Sequence, residues 1–543
     1  MSLLRALVPI ALVACAPDLI LSGGTGGSGA EAGGGSGPGG ADPTSGGSGG
    51  NGGAGATGGS AGTAGDGGDG GTGAMGGTGA MGGTGGGSGG NGGTGAMGGS
   101  GGDGGSGGSP AVCGNGVTEG DEPCDDGNVS DDDVCTNACE EQRVLAISTG
   151  ASFACAIVTG GRVKCWGRNN FGQLGIGNLE DRGDDPAEMG DNLPFVDLDG
   201  VAAVEVACGE LHACALLADQ TVRCWGNAGV GELGIGSQTS STVPAAAVDL
   251  GTSEIIEHIS AGSGHTCALF ANKQAKCWGF GIYGQLGLGT FTTQGDQPGE
   301  MGSALPFINP GAPISRMALG NFHTCALLQT GGVRCWGFGS KGQLGRDSTT
   351  DLGSPPMTDI ALGDVAVDLG AGAETTCAAL ASGSLKCWGS GAQAALGSGS
   401  LTDLGDQLGE MAALQPFTLG DVPTLLGVGV QGSCARLSTG AIKCWGENSA
   451  GLSGQGHQVD YGDNPNEMGV NLPALNLGAG VNVAALPDRA FAYQCALLSD
   501  ASVKCWGYNN YGQLGLGDTD ARGDNPNEMG DALPRVKLFT SGW

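Results

Sequence analysis

Seven times along the 543 residues a cysteine is followed, after nine intervening residues, by a second cysteine that opens Cys-Trp-Gly. The pairs are Cys155 with Cys165, Cys214 with Cys224, Cys267 with Cys277, Cys325 with Cys335, Cys377 with Cys387, Cys434 with Cys444 and Cys495 with Cys505. Thiols at a constant spacing can ligate a metal or close disulfides. His212, His265 and His323 stand two residues before the first cysteine of their repeats, where they could offer imidazoles to zinc. Lys164, Arg223, Lys276, Arg334, Lys386, Lys443 and Lys504 stand two residues before Trp166, Trp225, Trp278, Trp336, Trp388, Trp445 and Trp506, a basic series that could read an anion. Asp184 and Glu188, Asp296 and Glu300, Asp406 and Glu410, Asp463 and Glu467, and Asp524 and Glu528 recur between repeats and could hold calcium or hydrolyse a glycoside.

Repetition itself argues against most of this chemistry. Zinc needs its ligands within about 4 Å of one another, and equivalent atoms of successive repeats lie further apart. Glycoside hydrolysis needs one asymmetric carboxylate pair in a cleft, whereas five near-identical copies serve structure, with the Asp capping a turn. A base two residues from an indole shares its strand face, so the stem is expected to lie on the Trp as a cation–π pair. His258 and His457 share no register, and the Arg182-Gly183-Asp184 and Arg522-Gly523-Asp524 tripeptides belong to the repeated loop phrase. No Ser or Cys sits in a nucleophile motif, and no Gly-rich loop has Walker spacing. No catalytic residue, no metal site and no cofactor is assigned, with calcium in the acidic loops as the one ion left open.

These residues are positioned by a hairpin. In the fourth repeat, ISRMALGNFHTCALLQTGGVRCWGFGSKGQLG, apolar positions alternate through TCALL and VRCWG across a Gly-containing turn. A turn centred near Thr330 sets Cys325 directly opposite Cys335, within disulfide reach. Cross-strand disulfides in all seven hairpins then explain the invariant gap, because an insertion would slip the register. A further strand precedes each hairpin (VAAVEVACG, IIEHISAGS, VAVDLGAGA), and a short apolar run follows each linker (LPFVDL, LPALNL). Four strands per 52–61 residues make a propeller blade, so the expected fold is all-β, a seven-bladed β-propeller. The last run, LPRVKL, has no hairpin after it, and the first repeat has no such run before it. The C-terminal strand is therefore expected to complete the first blade and close the ring, ending the array where the sequence ends.

With a hydroxyl or His before the ALL strand, G-x-V-x-x-W-G and N-x-x-GQLG, each unit resembles the repeat of the regulator of chromosome condensation family, over 143–543. The pattern decays in unit five, where Ala395-Leu396-Gly397 replaces QLG, and in unit six, where SAGLSGQG stands. The interblade phrase GDxPxEMGxxLP is similar to that of bacterial members. A plant ultraviolet photoreceptor of this fold uses clustered tryptophans in a different motif, so the Trp residues here are expected to pack between blades. Cys208 is left over by the count as a free or intermolecular thiol.

The remaining segments give an address. MSLLRALVPIALVAC has one basic residue, Arg5, and an apolar run too short to span a bilayer, which reads as a signal peptide over 1–14. Leu12-Val13-Ala14-Cys15 resembles the bacterial lipobox, which implies that Cys15 becomes a lipidated N-terminus. Residues 15–110 are a Gly/Ser-rich linker that cannot bury a core, with an expected span of roughly 50 Å. Residues 111–142 hold Cys113, Cys124, Cys135 and Cys139 with little core material, so disulfides of three possible connectivities are expected there, ahead of zinc. The pattern CGNG…CDDGN…C-x-x-x-C resembles the myxobacterial cysteine-rich repeat. Its carboxylates Asp125, Asp126, Asp131, Asp132 and Asp133 lack EF-hand spacing and read as a solvated loop.

The net charge of −33, from 54 acidic and 21 basic residues, repels a phosphate backbone, so no nucleic acid is expected. The expected protein is an exported, monomeric, non-enzymatic display protein on the outer membrane or cell surface, alternatively secreted. It touches the membrane through its lipid anchor only and binds a protein or glycan through propeller loops. The runners-up are a secreted propeller resembling the propeller-type β-lactamase inhibitor and a polysaccharide-active enzyme. The family founder's guanine-nucleotide exchange on a nuclear GTPase is incompatible with export.

Overall fold

The computed structural model describes residues 138–487 and 491–540, together with Cys113, residues 115–118, Cys124, Asp125, Gly127, Cys135 and Thr136. The expected leader at 1–14, Cys15, the linker at 15–110 and the carboxylates Asp126, Asp131, Asp132 and Asp133 lie outside the described residues.

The described residues form seven antiparallel sheets, one per repeat. In the first blade Val144–Thr149 pairs with Phe153–Val158, which pairs with Arg162–Gly167, which pairs with Phe195–Val196. The hairpins of the next six blades are His212–Leu217 with Val222–Gly226, His265–Phe270 with Ala275–Gly279, His323–Leu328 with Val333–Gly337, Thr375–Leu380 with Leu385–Gly389, Gly432–Leu437 with Ile442–Gly446, and Tyr493–Leu498 with Val503–Gly507. Each is preceded by its own first strand, and that strand carries a bulge in all seven blades. The fourth run is too short to be a full strand elsewhere, but it takes the same place. Val248, Ile308, Ile360, Phe417, Leu475 and Val536 each bond through the backbone to the third strand of their own blade, at 2.7–2.9 Å.

That placement corrects the expected closure. Val536 N donates to Val503 O within the seventh blade, and the first blade takes its fourth strand from Phe195–Val196. The loop after each hairpin returns its apolar run to the hairpin it has just left, so no blade is short of a strand. The seventh blade meets the first through bonds that join other neighbours too. Gly190 N donates to Lys537 O (2.9 Å) as Gly302 N does to Asp249 O (2.8 Å). Trp166 Nε1 donates to Gln513 O (3.0 Å) as Trp225 Nε1 does to Gln173 O (2.9 Å).

Every hairpin is closed by its own pair of cysteines. Cys155 is bridged to Cys165, Cys214 to Cys224, Cys267 to Cys277, Cys325 to Cys335, Cys377 to Cys387, Cys434 to Cys444 and Cys495 to Cys505. The two residues of each pair sit directly opposite one another with Cα atoms 4.0–4.1 Å apart, the narrow non-hydrogen-bonded site of an antiparallel pair. All seven bridges are buried. None of these fourteen sulfurs is therefore available to a metal or to a partner, and the metal alternative raised by their spacing falls away. In the small module the bridges are nested, Cys113 to Cys139 around Cys124 to Cys135. Asp125 accepts from the backbone N–H groups of Asn115, Gly116 and Gly127, an arrangement that holds an anion and not a cation. Cys208 is free and wholly buried, its Sγ 3.6 Å from Ser148 O, so in the folded protein it cannot reach another molecule.

Candidate functional site

The residues repeated in every blade belong to the seams between blades. All seven indoles are buried, and each Nε1 donates at 2.9–3.1 Å to a carbonyl in the loop of the preceding blade. The basic series is not laid on these indoles, which corrects the expected cation–π pairing. Lys164 Nζ donates to Gly190 O (2.9 Å) and Leu538 O (2.7 Å), and Lys276, Lys443 and Lys504 reach the equivalent seam carbonyls. The ring faces that do meet an ammonium are phenylalanines, Phe195 and Phe539 for Lys164 and Phe307 for Lys276. Arg223 and Arg334 pair with Asp199 and Asp359. Six of the seven bases satisfy carbonyls and carboxylates of the protein itself, and the seventh, Lys386, is buried.

His212, His265 and His323 are spread around the ring. Each Nε2 lies 2.9 Å from the Thr hydroxyl that precedes the first cysteine of the next blade: Thr266, Thr324 and Thr376. Thr324 and Thr376 spend their own hydrogens on Gln285 O and Gln343 O, so Nε2 of His265 and of His323 is the donor. Among the described residues no three His, Cys, Asp or Glu side chains converge on a common point. In the interblade phrase it is the Glu, and not the Asp, that caps the turn. Glu188 accepts from Gly183 N and Asp185 N, and Glu300, Glu410, Glu467 and Glu528 repeat the pattern. A carboxylate ringed by backbone N–H groups has the polarity opposite to a calcium cage.

Two buried titratable groups tie stability to pH. Burial pushes the His212 imidazole down to about 3. Burial also lifts the Glu232 carboxyl, held by Asn227 Nδ2 and Val230 N, up to about 7. The fold prefers neutral His212, so its contribution is complete above pH 6.5 and falls away below it by roughly 1.4 kcal/mol per pH unit toward 3. Glu232 has the opposite sign: the fold prefers its protonated form, and stability is lost as pH rises from 4.5 to 7. The two slopes oppose each other between pH 4.5 and 6.5, and below pH 4.5 only the histidine loss remains. Glu232 occupies the Gln position of the GQLG loops. Glu232→Gln is expected to raise stability by about 2–3 kcal/mol at pH 8 and by little at pH 4, read from urea unfolding at the two pH values. An equal gain at both would show that Glu232 is not held protonated.

What differs from blade to blade is one end of the ring. The residue after each Cys-Trp-Gly and the residue before each second strand are tied by the same backbone bond, as in Phe338 N to Phe322 O (2.8 Å) and Ser390 N to Glu374 O (2.8 Å). In blades three and four these positions, with Tyr283, form a patch of four half-buried rings: Phe280, Tyr283, Phe322 and Phe338, with neighbouring centroids 4.8–6.3 Å apart. Ile282 is exposed beside it. On the blade-five side Lys341 pairs with Asp403 at 3.2 Å, and burial raises the Glu374 carboxyl nearby. Across the ring Phe491, Tyr508 and Tyr511 form a second aromatic row, with Arg168 over Tyr511 at 4.7 Å. None of these residues stands out by motif. Their signal is variability at a fixed offset from Cys-Trp-Gly, which reads Arg, Asn, Phe, Phe, Ser, Glu, Tyr.

Two models of the regulator of chromosome condensation (RCC1) repeat match the sequence, one at 144–173, 203–232, 256–285 and 314–343, the other at 160–216, 221–269 and 277–327. The protein thus carries RCC1-type repeats. It is 29% identical over 381 residues to the ultraviolet-B receptor UVR8 of Arabidopsis thaliana, spanning 70% of this chain and 80% of that one. It is 29% identical over 320 residues to the E3 ubiquitin-protein ligase HERC2 of Homo sapiens, but spans only 6% of that protein. Among solved structures, human WBSCR16 superposes with a TM-score of 0.53 at 18% identity, covering 69% of this chain and 93% of that one. Yeast RCC1 (Prp20) superposes with 0.52 at 17%, covering 73% and 85%. These likenesses establish the propeller fold.

Proposed function

We propose that this protein is an exported, non-enzymatic binding module whose variable propeller end takes a protein partner. The aromatic patch of Phe280, Tyr283, Phe322 and Phe338 carries the reading. The invariant residues of every blade are consumed by the seams, and this patch is where repeats that otherwise agree diverge into large half-exposed rings. Aromatic side chains present wide contact area at low entropic cost and dominate interface energetics. The overall charge of −33 favours a neutral or basic partner over an acidic one. Nine disulfides suit an oxidising compartment outside the cytosol. No helix among the described residues is long and apolar enough to cross a membrane. In this reading 1–14 is a leader, Cys15 a lipid anchor, 15–110 a tether, 111–142 a disulfide module and 143–543 the monomeric propeller held at the cell surface.

The test is affinity capture from cell-surface extracts on immobilised protein, beside the Tyr283→Ala/Phe322→Ala double variant. Truncating two anchors is expected to weaken capture at least about thirtyfold while the melting temperature holds within a few degrees. Capture that survives the double variant, or release of cleaved glycan from the column, would remove the reading.

A further inference from the structure

The opposite end of the ring holds a second feature that the repeat does not require. From blade one to blade six the first strands of successive blades lie against one another, and they line the axis. At one register position of that strand, blades one, six and seven carry Ala146, Leu425 and Ala485. Blades two to five carry Glu205, His258, Arg316 and Asp368 at the same position. Glu205 Oε1 lies 3.5 Å from His258 Nδ1, and its Oε2 accepts from Ile259 N at 2.9 Å. Arg316 Nη1 donates to Asp368 Oδ1, which also accepts from Leu369 N at 2.9 Å. Charged pairs taken out of water rarely outdo apolar side chains in stability, and three blades hold the same position with Ala or Leu. The fold does not account for the quartet.

Its order suggests a use. Around the axis the series runs acid, base, base, acid, so each carboxylate sits on the flank of its own base and the two bases are adjacent in the middle. A cavity of about 280 Å³ opens at that junction. His258, Arg316 and Asp368 line it with Leu269, Met317 and Leu327. At about 30 Å³ per water-sized group it holds roughly nine non-hydrogen atoms. At or just before the start of the first strands stand Leu145, Val204, Ile255, Val365, Val367 and Val422, each 43–59% exposed, an apolar collar that Glu257 and Ser315 interrupt in blades three and four. Val367 lines both the collar and the cavity. An acceptor-only group suits the N–H donors of Arg316 and of the His258 ring, and an apolar group suits the collar and the Leu/Met wall.

We infer that this end of the ring binds a small apolar molecule or peptide end that terminates in a carboxylate, with the carboxylate between His258 and Arg316 and the apolar part against the collar. The site is distinct from the aromatic end and independent of its partner. The test is calorimetric titration of the full-length protein with N-acetyl-Val-Leu as the free acid, the same dipeptide as its C-terminal amide, and hexanoate. The free acid is expected to bind at least tenfold more tightly than the amide. Binding of hexanoate as well as the peptide acid assigns a free small acid, and binding of the peptide acid alone assigns the C-terminus of a polypeptide. His258→Asn and the paired Arg316→Leu/Asp368→Leu variant, which removes both members of that ion pair, are each expected to lower affinity for the acid at least tenfold. Equal affinity for acid and amide, no heat from either acid, or undiminished binding by the paired variant in a protein of unchanged melting temperature would overturn the site.

Discussion

Reduction of the disulfides in denaturant, followed by removal of denaturant with the reductant kept, is expected to leave the protein unable to regain its native spectrum. Each hairpin bridge closes a loop of sequence separation 10. The entropy of loop closure assigns such a bridge roughly 2.5–3 kcal/mol of stabilisation, so the seven together exceed the 5–15 kcal/mol net stability of an ordinary domain. The largest wholly buried side chains are the seven Trp, and each belongs to a seam with a neighbour, so an isolated hairpin gains little from them. Without the bridges each hairpin must hold its register unaided before the seams can form, and a lone two-stranded hairpin is marginal in water. Under native conditions the buried sulfurs should resist the same reductant, since attack needs access. Tryptophan emission and far-ultraviolet circular dichroism follow the outcome. A reduced protein that refolds to the native spectrum would show the cysteines to be packing residues only.

Trp336→Ala is expected to destabilise the ring by about 3–5 kcal/mol, and Trp336→Phe by about 1–2 kcal/mol, measured by denaturant unfolding. The indole is fully buried in one apolar cluster with Leu286, Ile308 and Met317, and Nε1 donates to Gln285 O at 3.0 Å. The ring lies against Gly287, where an added Cβ would fall 2.7 Å from Nε1. Gly287 has φ +72°, so this last residue of GQLG is glycine both for its backbone and for the ring above it. Phe restores most of the volume and loses the bond, although Gln285 O keeps the hydroxyl of Thr324 at 2.8 Å. The difference between the two variants therefore separates the packing contribution from the hydrogen bond. Equal losses would mean that the bond, and not the filled volume, secures the seam.

Local spacing was enough to read the hairpins. Nine residues between cysteines permit one antiparallel register across one short turn, and Cys325 opposite Cys335 is a property of that segment alone. The same holds for Cys434 opposite Cys444, in the unit where the rest of the repeat pattern has decayed. Seven copies, four runs per copy and the propeller class follow from the same spacing. Degenerate repeats form blades as well, because the seam relies on backbone: Trp445 Nε1 donates to Ala395 O at 3.1 Å although Ala395 stands where other loops carry Gln. What could not be read locally is which blade each partner belongs to. LPRVKL stays on the seventh hairpin, the lysines turn to seam carbonyls, and the histidines reach hydroxyls in the next blade, 53–59 residues away. The aromatic patch and the acid–base–base–acid row are assembled the same way, from residues contributed by successive blades.

The amino-acid sequence by itself thus determined the repeat, the register and the staples, since these arise from contacts about ten residues apart. Only the tertiary structure decided what faces what around the axis. A side chain's surroundings there are set by the neighbouring blade, and identical local sequence can point a base at a carbonyl, a Phe ring or an Asp according to what that neighbour presents.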